Sequence, residues 1–134
     1  MAAATRPRRT PLVRAAGGAA EELVAERLAS EGWIVLERRL RVGALEIDLL
    51  VRRGDVVALV EVRGRRAGGW ITPFDSVDAR KRARLIRAAR RVWIERFERD
   101  PATRVLRIDL AAVTWRQGAP LVEIAEGAIA VPGA

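Results

Sequence analysis

Residues 44–63 read ALEIDLLVRRGDVVALVEVR, and the reading of this stretch decides the fold. Two runs rich in apolar and β-branched residues, 44–51 and 56–62, flank Gly54 and Asp55, a pattern that predicts a β-hairpin. With Gly54 and Asp55 as its loop, Arg53 faces Val56, and the same register sets Asp48 opposite Glu61 and Glu46 opposite Arg63. Side chains alternate along a strand, so these four share one face with Leu50, Val57 and Leu59. Directly opposed residues have Cβ atoms about 4.5–5.5 Å apart, a separation at which like charges repel unless neutralised. Asp48 and Glu61 so placed suit a divalent cation. The alternative is a cross-strand ion pair between Glu46 and Arg63, with Asp48 and Glu61 as solvated charges at the sheet edge.

Outward from the hairpin, residues 33–40 read as a strand. Before them, Ala20, Leu23, Val24 and Leu28 recur at helical spacing over 18–31, closed by Gly32. The glycine-rich loop 64–74 leads to a helix capped by Asp75 or Ser76 and running to about Arg99, with Leu85, Ile86, Ala89, Val92, Trp93 and Phe97 as its buried stripe. Strands follow at 105–115 and 121–124. The order predicts an α/β fold, a mixed sheet flanked by helices, and the hairpin's apolar residues on both faces near its turn imply cover on both sides.

The organisation expected is a basic tail at 1–16 carrying Arg6, Arg8, Arg9 and Arg14, a single domain at 17–126 and a short tail at 127–134. A chain of 134 residues with 50% hydrophobic content suits one core. No apolar run approaches the roughly 18 residues that cross a bilayer, so no membrane association and a cytoplasmic location are expected. Without Cys or His, zinc sites of the usual kind, thiol nucleophiles, disulfides and Ser-His-Asp triads are excluded. A metal would be held by oxygen, which favours Mg²⁺ or Mn²⁺.

The net charge of +8 fits a nucleic-acid partner, and a genome-wide arginine bias explains it equally well, since Lys81 is the one lysine. Arg80, Arg84, Arg87 and Arg91 align on the second helix with no acid between Asp78 and Glu95, a face suited to phosphates. Arg65 and Arg66 stand just beyond the acids. Lys81 falls on the buried side of its helix and can lean toward the sheet or merely cover apolar surface. Glu21 flanks the stripe of the first helix and can reach the sheet, or is simply a favourable acid in a first turn.

Ala20-Glu21, Arg41, Glu46-Ile47-Asp48, Val60-Glu61-Val62-Arg63, Arg65, Lys81 with Leu85, and Arg107-Ile108-Asp109 together resemble the YraN-like family of bacterial proteins, uncharacterised protein family 0102. That family is related to Holliday-junction resolvases and the PD-(D/E)xK nucleases. The resemblance implies a restriction-endonuclease-like fold that hydrolyses phosphodiesters, DNA being the first substrate to expect. Asp48, Glu61 and the Val62 carbonyl would hold Mg²⁺, with Glu21 joining or approaching it. It also leaves a homodimer open, as in resolvases. The family's glycine before Glu-Ile-Asp is Leu45 here, its asparagine before the first-strand arginine is Arg39, and its catalytic lysine is Arg63. Guanidinium is bulkier than ammonium and never deprotonated. Arg63 therefore either stabilises the reacting phosphate or marks a nucleic-acid-binding module without turnover.

Overall fold

Five strands form one sheet, and the hairpin read from the sequence is at its middle. The computed structural model describes residues 12–66 and 74–132. Along the chain these form α1 (Leu12–Ser30), β1 (Ile34–Val42), β2 (Leu45–Arg53), β3 (Val56–Arg66), α2 (Ala79–Val92), a π-helical turn (Trp93–Phe97), β4 (Val105–Trp115) and β5 (Leu121–Ile129). Spatial order follows chain order, β1-β2-β3-β4-β5. β3 and β4 pair in parallel and the other neighbours are antiparallel. The parallel pair requires a crossover, which α2 supplies.

Arg53 pairs with Val56 across the turn, as the sequence predicts, and the register holds through Leu49 and Val60. Gly54 takes a φ of +62°, the positive angle that a tight hairpin turn places at its first loop position. Each face of the sheet carries its own core. Leu50, Val57 and Leu59 pack with Leu85, Ala89 and Val92 of α2. Leu49, Val51, Ala58 and Val60 pack with Val24 and Leu28 of α1.

Several boundaries differ from the sequence reading. α1 begins at Leu12, inside the stretch read as tail, and continues through Gly17 and Gly18 although each weakens a helix by about 1 kcal/mol relative to Ala. Residues 1–11 of that tail lie outside the described residues. The cap of α2 is Asp78 rather than Asp75 or Ser76, its carboxylate accepting from the Lys81 N–H at 2.8 Å. β3 runs on through Gly64 to Arg66, held by parallel pairing that ends at Arg66 and Trp115. Only residues 67–73 of the expected loop lie outside the described residues.

β5 also runs beyond the expected residue 124 into the stretch read as a C-terminal tail. Its pairing with β4 shifts register between Ile108 and Leu110, where the buried Asp109 carboxylate accepts the Gly127 N–H at 2.8 Å. Arg107 donates to both oxygens of Asp109, at 2.9 and 3.2 Å. Burial raises the Asp109 pKa, and these hydrogen bonds oppose the rise. Arg107 and Asp109, part of the family resemblance, thus pin the sheet's far edge. No described helix is long and apolar enough to cross a membrane.

Candidate functional site

The β2–β3 ladder ends one step short of the acids. Beyond Leu49 and Val60, β2 stays paired with β1 down to Leu45, whereas β3 stays on β4 up to Arg66, so the two strands fork. The reason is local chemistry. The Val62 N–H, which would continue a ladder, donates instead to Asp48 Oδ2 at 2.8 Å. Asp48 and Glu61 sit in the crotch of this fork, close enough for the Glu61 charge to act on the Asp48 carboxyl.

Glu61 is buried, only 5% exposed, and two cations reach the same oxygen, Oε2: Arg63 Nε at 3.3 Å and Lys81 Nζ at 3.4 Å. Lys81 thus leans into the sheet, and the alternative of a lysine covering apolar surface is set aside. Its position follows from the helix start, because capping at Asp78 fixes the first turn of α2 over the acids. Arg63 Nε is buried and makes no hydrogen bond; its ion pair with Glu61 is one of charge without hydrogen-bond geometry. Glu46, expected opposite Arg63, is exposed and makes no ion pair among the described residues. The fork separates the two strands before that pair can form.

Burial pushes the Asp48 carboxyl up, with the neighbouring Glu61 charge adding to it, to about 6; the Val62 N–H and the Lys81 ammonium oppose the rise. Glu21 on α1 is also raised, first by burial, against the hydrogen bond from Arg39 that lowers it; Asp48 and Glu46 add smaller upward pushes. Glu21 Oε1 accepts from Arg39 Nε at 3.2 Å. Among the described residues no group of three or more Asp and Glu side chains is already arranged to hold a metal ion; Glu21 borders the pair, near enough for the Asp48 charge to act on it.

Arg39 was not legible as part of this neighbourhood. It is the one described non-glycine residue with positive φ, +53°, a left-handed conformation that asparagine tolerates better than arginine. The family's asparagine at this position was the available signal.

The remaining candidates lie farther out. Arg65 is half-buried and Arg66 exposed at the end of β3. Arg80, Arg84, Arg87 and Arg91 are exposed on α2, and Arg91 pairs with Glu95 at 3.0 Å.

The donor set suits a hard divalent cation. Asp48 and Glu61 offer carboxylate oxygens only, partly desolvated, with like charges that a proton or a metal relieves. Arg63 Nε beside them carries its charge to Glu61 but makes no hydrogen bond.

The family model described as "Uncharacterised protein family UPF0102" matches residues 20–113. A UPF0102 protein of Sorangium cellulosum is 45% identical over 116 residues, covering 86% of this chain and 81% of that protein. One from Streptomyces coelicolor is 44% identical, covering 84% and 87%. Among solved structures, Pyrococcus furiosus SfsA in complex with Ca²⁺ matches with a TM-score of 0.38 at 14% identity, over 85% of this chain and 62% of that one. The match spans every element from α1 to β4 and includes the acids, the helix lysine and the strand arginines; the chain belongs to the uncharacterised protein family UPF0102.

Proposed function

We propose that this protein is a divalent-cation-dependent nuclease of restriction-endonuclease-like fold that hydrolyses phosphodiester bonds in DNA. The observation that carries the reading is the chain's one lysine, Lys81, held at 3.4 Å from the buried Glu61, whose charge also acts on the neighbouring Asp48.

Asp48 and Glu61, with the Val62 carbonyl as a further oxygen, would hold Mg²⁺ or Mn²⁺. When bound, such a cation supplies Lewis-acid stabilisation of the charge that builds on a phosphate under attack. The chain's own groups do the rest. Lys81 presents a compact positive charge beside the acids, where the family's strand lysine would otherwise stand. Arg63 offers a buried, unfilled N–H to a phosphate oxygen, a role that needs no deprotonation. The Val62 N–H fixes the orientation of Asp48, and Arg66 and the basic face of α2 hold the flanking phosphates.

The test is cleavage of single-stranded, duplex and branched DNA with Mg²⁺ or Mn²⁺ against a chelator control. Lys81→Met is expected to slow cleavage by about 100-fold, the scale for losing one charge-stabilising donor. Cleavage that survives the double variant Asp48→Asn, Glu61→Gln would refute the assignment.

Arg63 favours a second reading as well. Because it already neutralises Glu61, the site can rest without a cation, and the chain would then bind nucleic acid without turnover. Salt-sensitive binding with no cleavage under any of these conditions selects that reading.

A further inference from the structure

A groove of about 560 Å³ lies between the β1–β2 turn and α2, floored by Leu45, Ala88 and Ile94 and rimmed by Arg84, Arg87 and Arg91. Its two walls lead back to the acids. Leu45 is three residues along β2 from Asp48, roughly 10 Å at strand rise, and Arg84 is nearly one helical turn from Lys81. Lys81 to Arg91 spans about 15 Å of helix, so the groove is long enough to carry a polymer away from the carboxylate site.

The charge on this face is unanswered. Arg84 and Arg87 make no ion pair among the described residues, and the one acid lining the groove, Glu95, is held by Arg91 at 3.0 Å. Like charges at helical spacings repel by a few tenths of a kcal/mol per pair, so the face gains from an anionic partner. The floor narrows the choice of partner. Ile94 is 64% exposed and sits among arginines, where an intact duplex would offer it only phosphates and sugars. Apolar floor and basic rim together fit a strand whose bases are unstacked and whose phosphates run along the rim.

We infer that this groove binds single-stranded nucleic acid, conducting one strand along α2 to or from the Asp48–Glu61 pair. The inference deepens the nuclease reading and rests on it for the strand's destination, while the binding itself requires no metal. It is tested by fluorescence anisotropy in EDTA with a labelled oligothymidylate and a labelled duplex of equal length. The single strand is expected to bind about tenfold more tightly. Ile94→Asp and the double variant Arg84→Glu, Arg87→Glu are each expected to weaken it by about tenfold or more, whereas the charge-matched Arg104→Glu, beside the β2–β3 turn at the other end of the sheet, leaves it unchanged.

All four substituted positions are exposed, and the salt dependence of the wild type reads the phosphate contacts without any substitution. Equal affinity for duplex, or an Ile94→Asp variant that binds normally, overturns the inference, as does an Arg104→Glu loss equal to that of the groove variants. If Asp48-dependent cleavage is found but is indifferent to the groove variants, the groove assignment fails and the nuclease reading stands. If the groove binds as expected and no cleavage occurs with any cation, the groove stands and the nuclease reading fails.

Discussion

The two ends of the β2–β3 hairpin share one register and have opposite chemistry. Near the turn, Leu50, Val57 and Leu59 are fully buried between the strands and α2, and every step of the ladder is formed. At the open end, the same face carries Asp48 and Glu61, the ladder stops, and an N–H of the backbone is spent on a carboxylate. One end stabilises the fold through burial of apolar surface. The other holds two acids in a desolvated crotch, an arrangement that costs stability and makes sense where a cation or a substrate relieves it.

The sharpest way to separate the ends is to weaken the closed one. Leu59→Ala is expected to destabilise the protein by about 2–5 kcal/mol, read from urea unfolding, because its cavity lies between the sheet and α2. Divalent-cation binding by the folded fraction should persist, since Leu59 touches neither acid's hydrogen bonds.

The open end should respond in the reverse direction. Asp48 has an ordinary carboxyl pKa when unfolded and one of about 6 when folded, so between about pH 4 and pH 6 the native state binds the proton more tightly. Stability from this group is therefore present at low pH and lost as pH rises through that window. In chelator at pH 7, Asp48→Asn is expected to stabilise the protein by about 1–2 kcal/mol and to flatten this part of the pH profile. The amide still accepts the Val62 N–H and can donate to Glu61. A thermal-melt series across pH decides it, and a lower melting temperature for the variant at pH 7 would show that the acids are not in tension.

Arg39 gives the smallest effect. Its positive φ costs on the order of 1 kcal/mol, and its exposed ion pair with Glu21 returns no more than about that. Arg39→Asn should leave stability unchanged or raise it by up to about 1 kcal/mol, measured by urea unfolding. A loss beyond that would mean that Arg39 supports Glu21 more than the exposed geometry implies.

The closed end was legible from the sequence because it depends on periodicity. Gly54 and Asp55 fix the turn, the turn fixes the register, and the register carries Asp48 and Glu61 to one end of the hairpin, a step beyond its last paired residues. The apolar stripe of α2 was legible for the same reason, with Leu85, Ala89, Val92 and Phe97 buried as the spacing requires. What the sequence concealed depends on single side chains acting on backbone. The fork follows from one carboxylate accepting the Val62 N–H, and it removes the Glu46–Arg63 pair that strict alternation predicts.

β5 continues past residue 124 because a buried Asp109 accepts from Gly127, although Ala125-Glu126-Gly127-Ala128 has little strand character. β3 passes through Gly64, which looks like a loop residue. There a Cβ would lie in ordinary van der Waals contact, 3.8 Å from that of Ala20 on α1 and 3.5 Å from Trp115 Nε1, so the strand passes through a glycine that the packing does not require. The α2 cap shifted because Asp75, Ser76 and Asp78 are all competent caps, and only tertiary contact selects among them.

The central claim is that the open end of the hairpin is a cation site, and calorimetric titration with Mn²⁺ at pH 7 tests it without knowledge of the substrate. The wild type is expected to bind Mn²⁺, more weakly as pH falls below about 6 and Asp48 takes up a proton, and Asp48→Asn is expected to lose that binding while remaining folded. Equal Mn²⁺ affinity in the two proteins, or none in the wild type, would contradict the account.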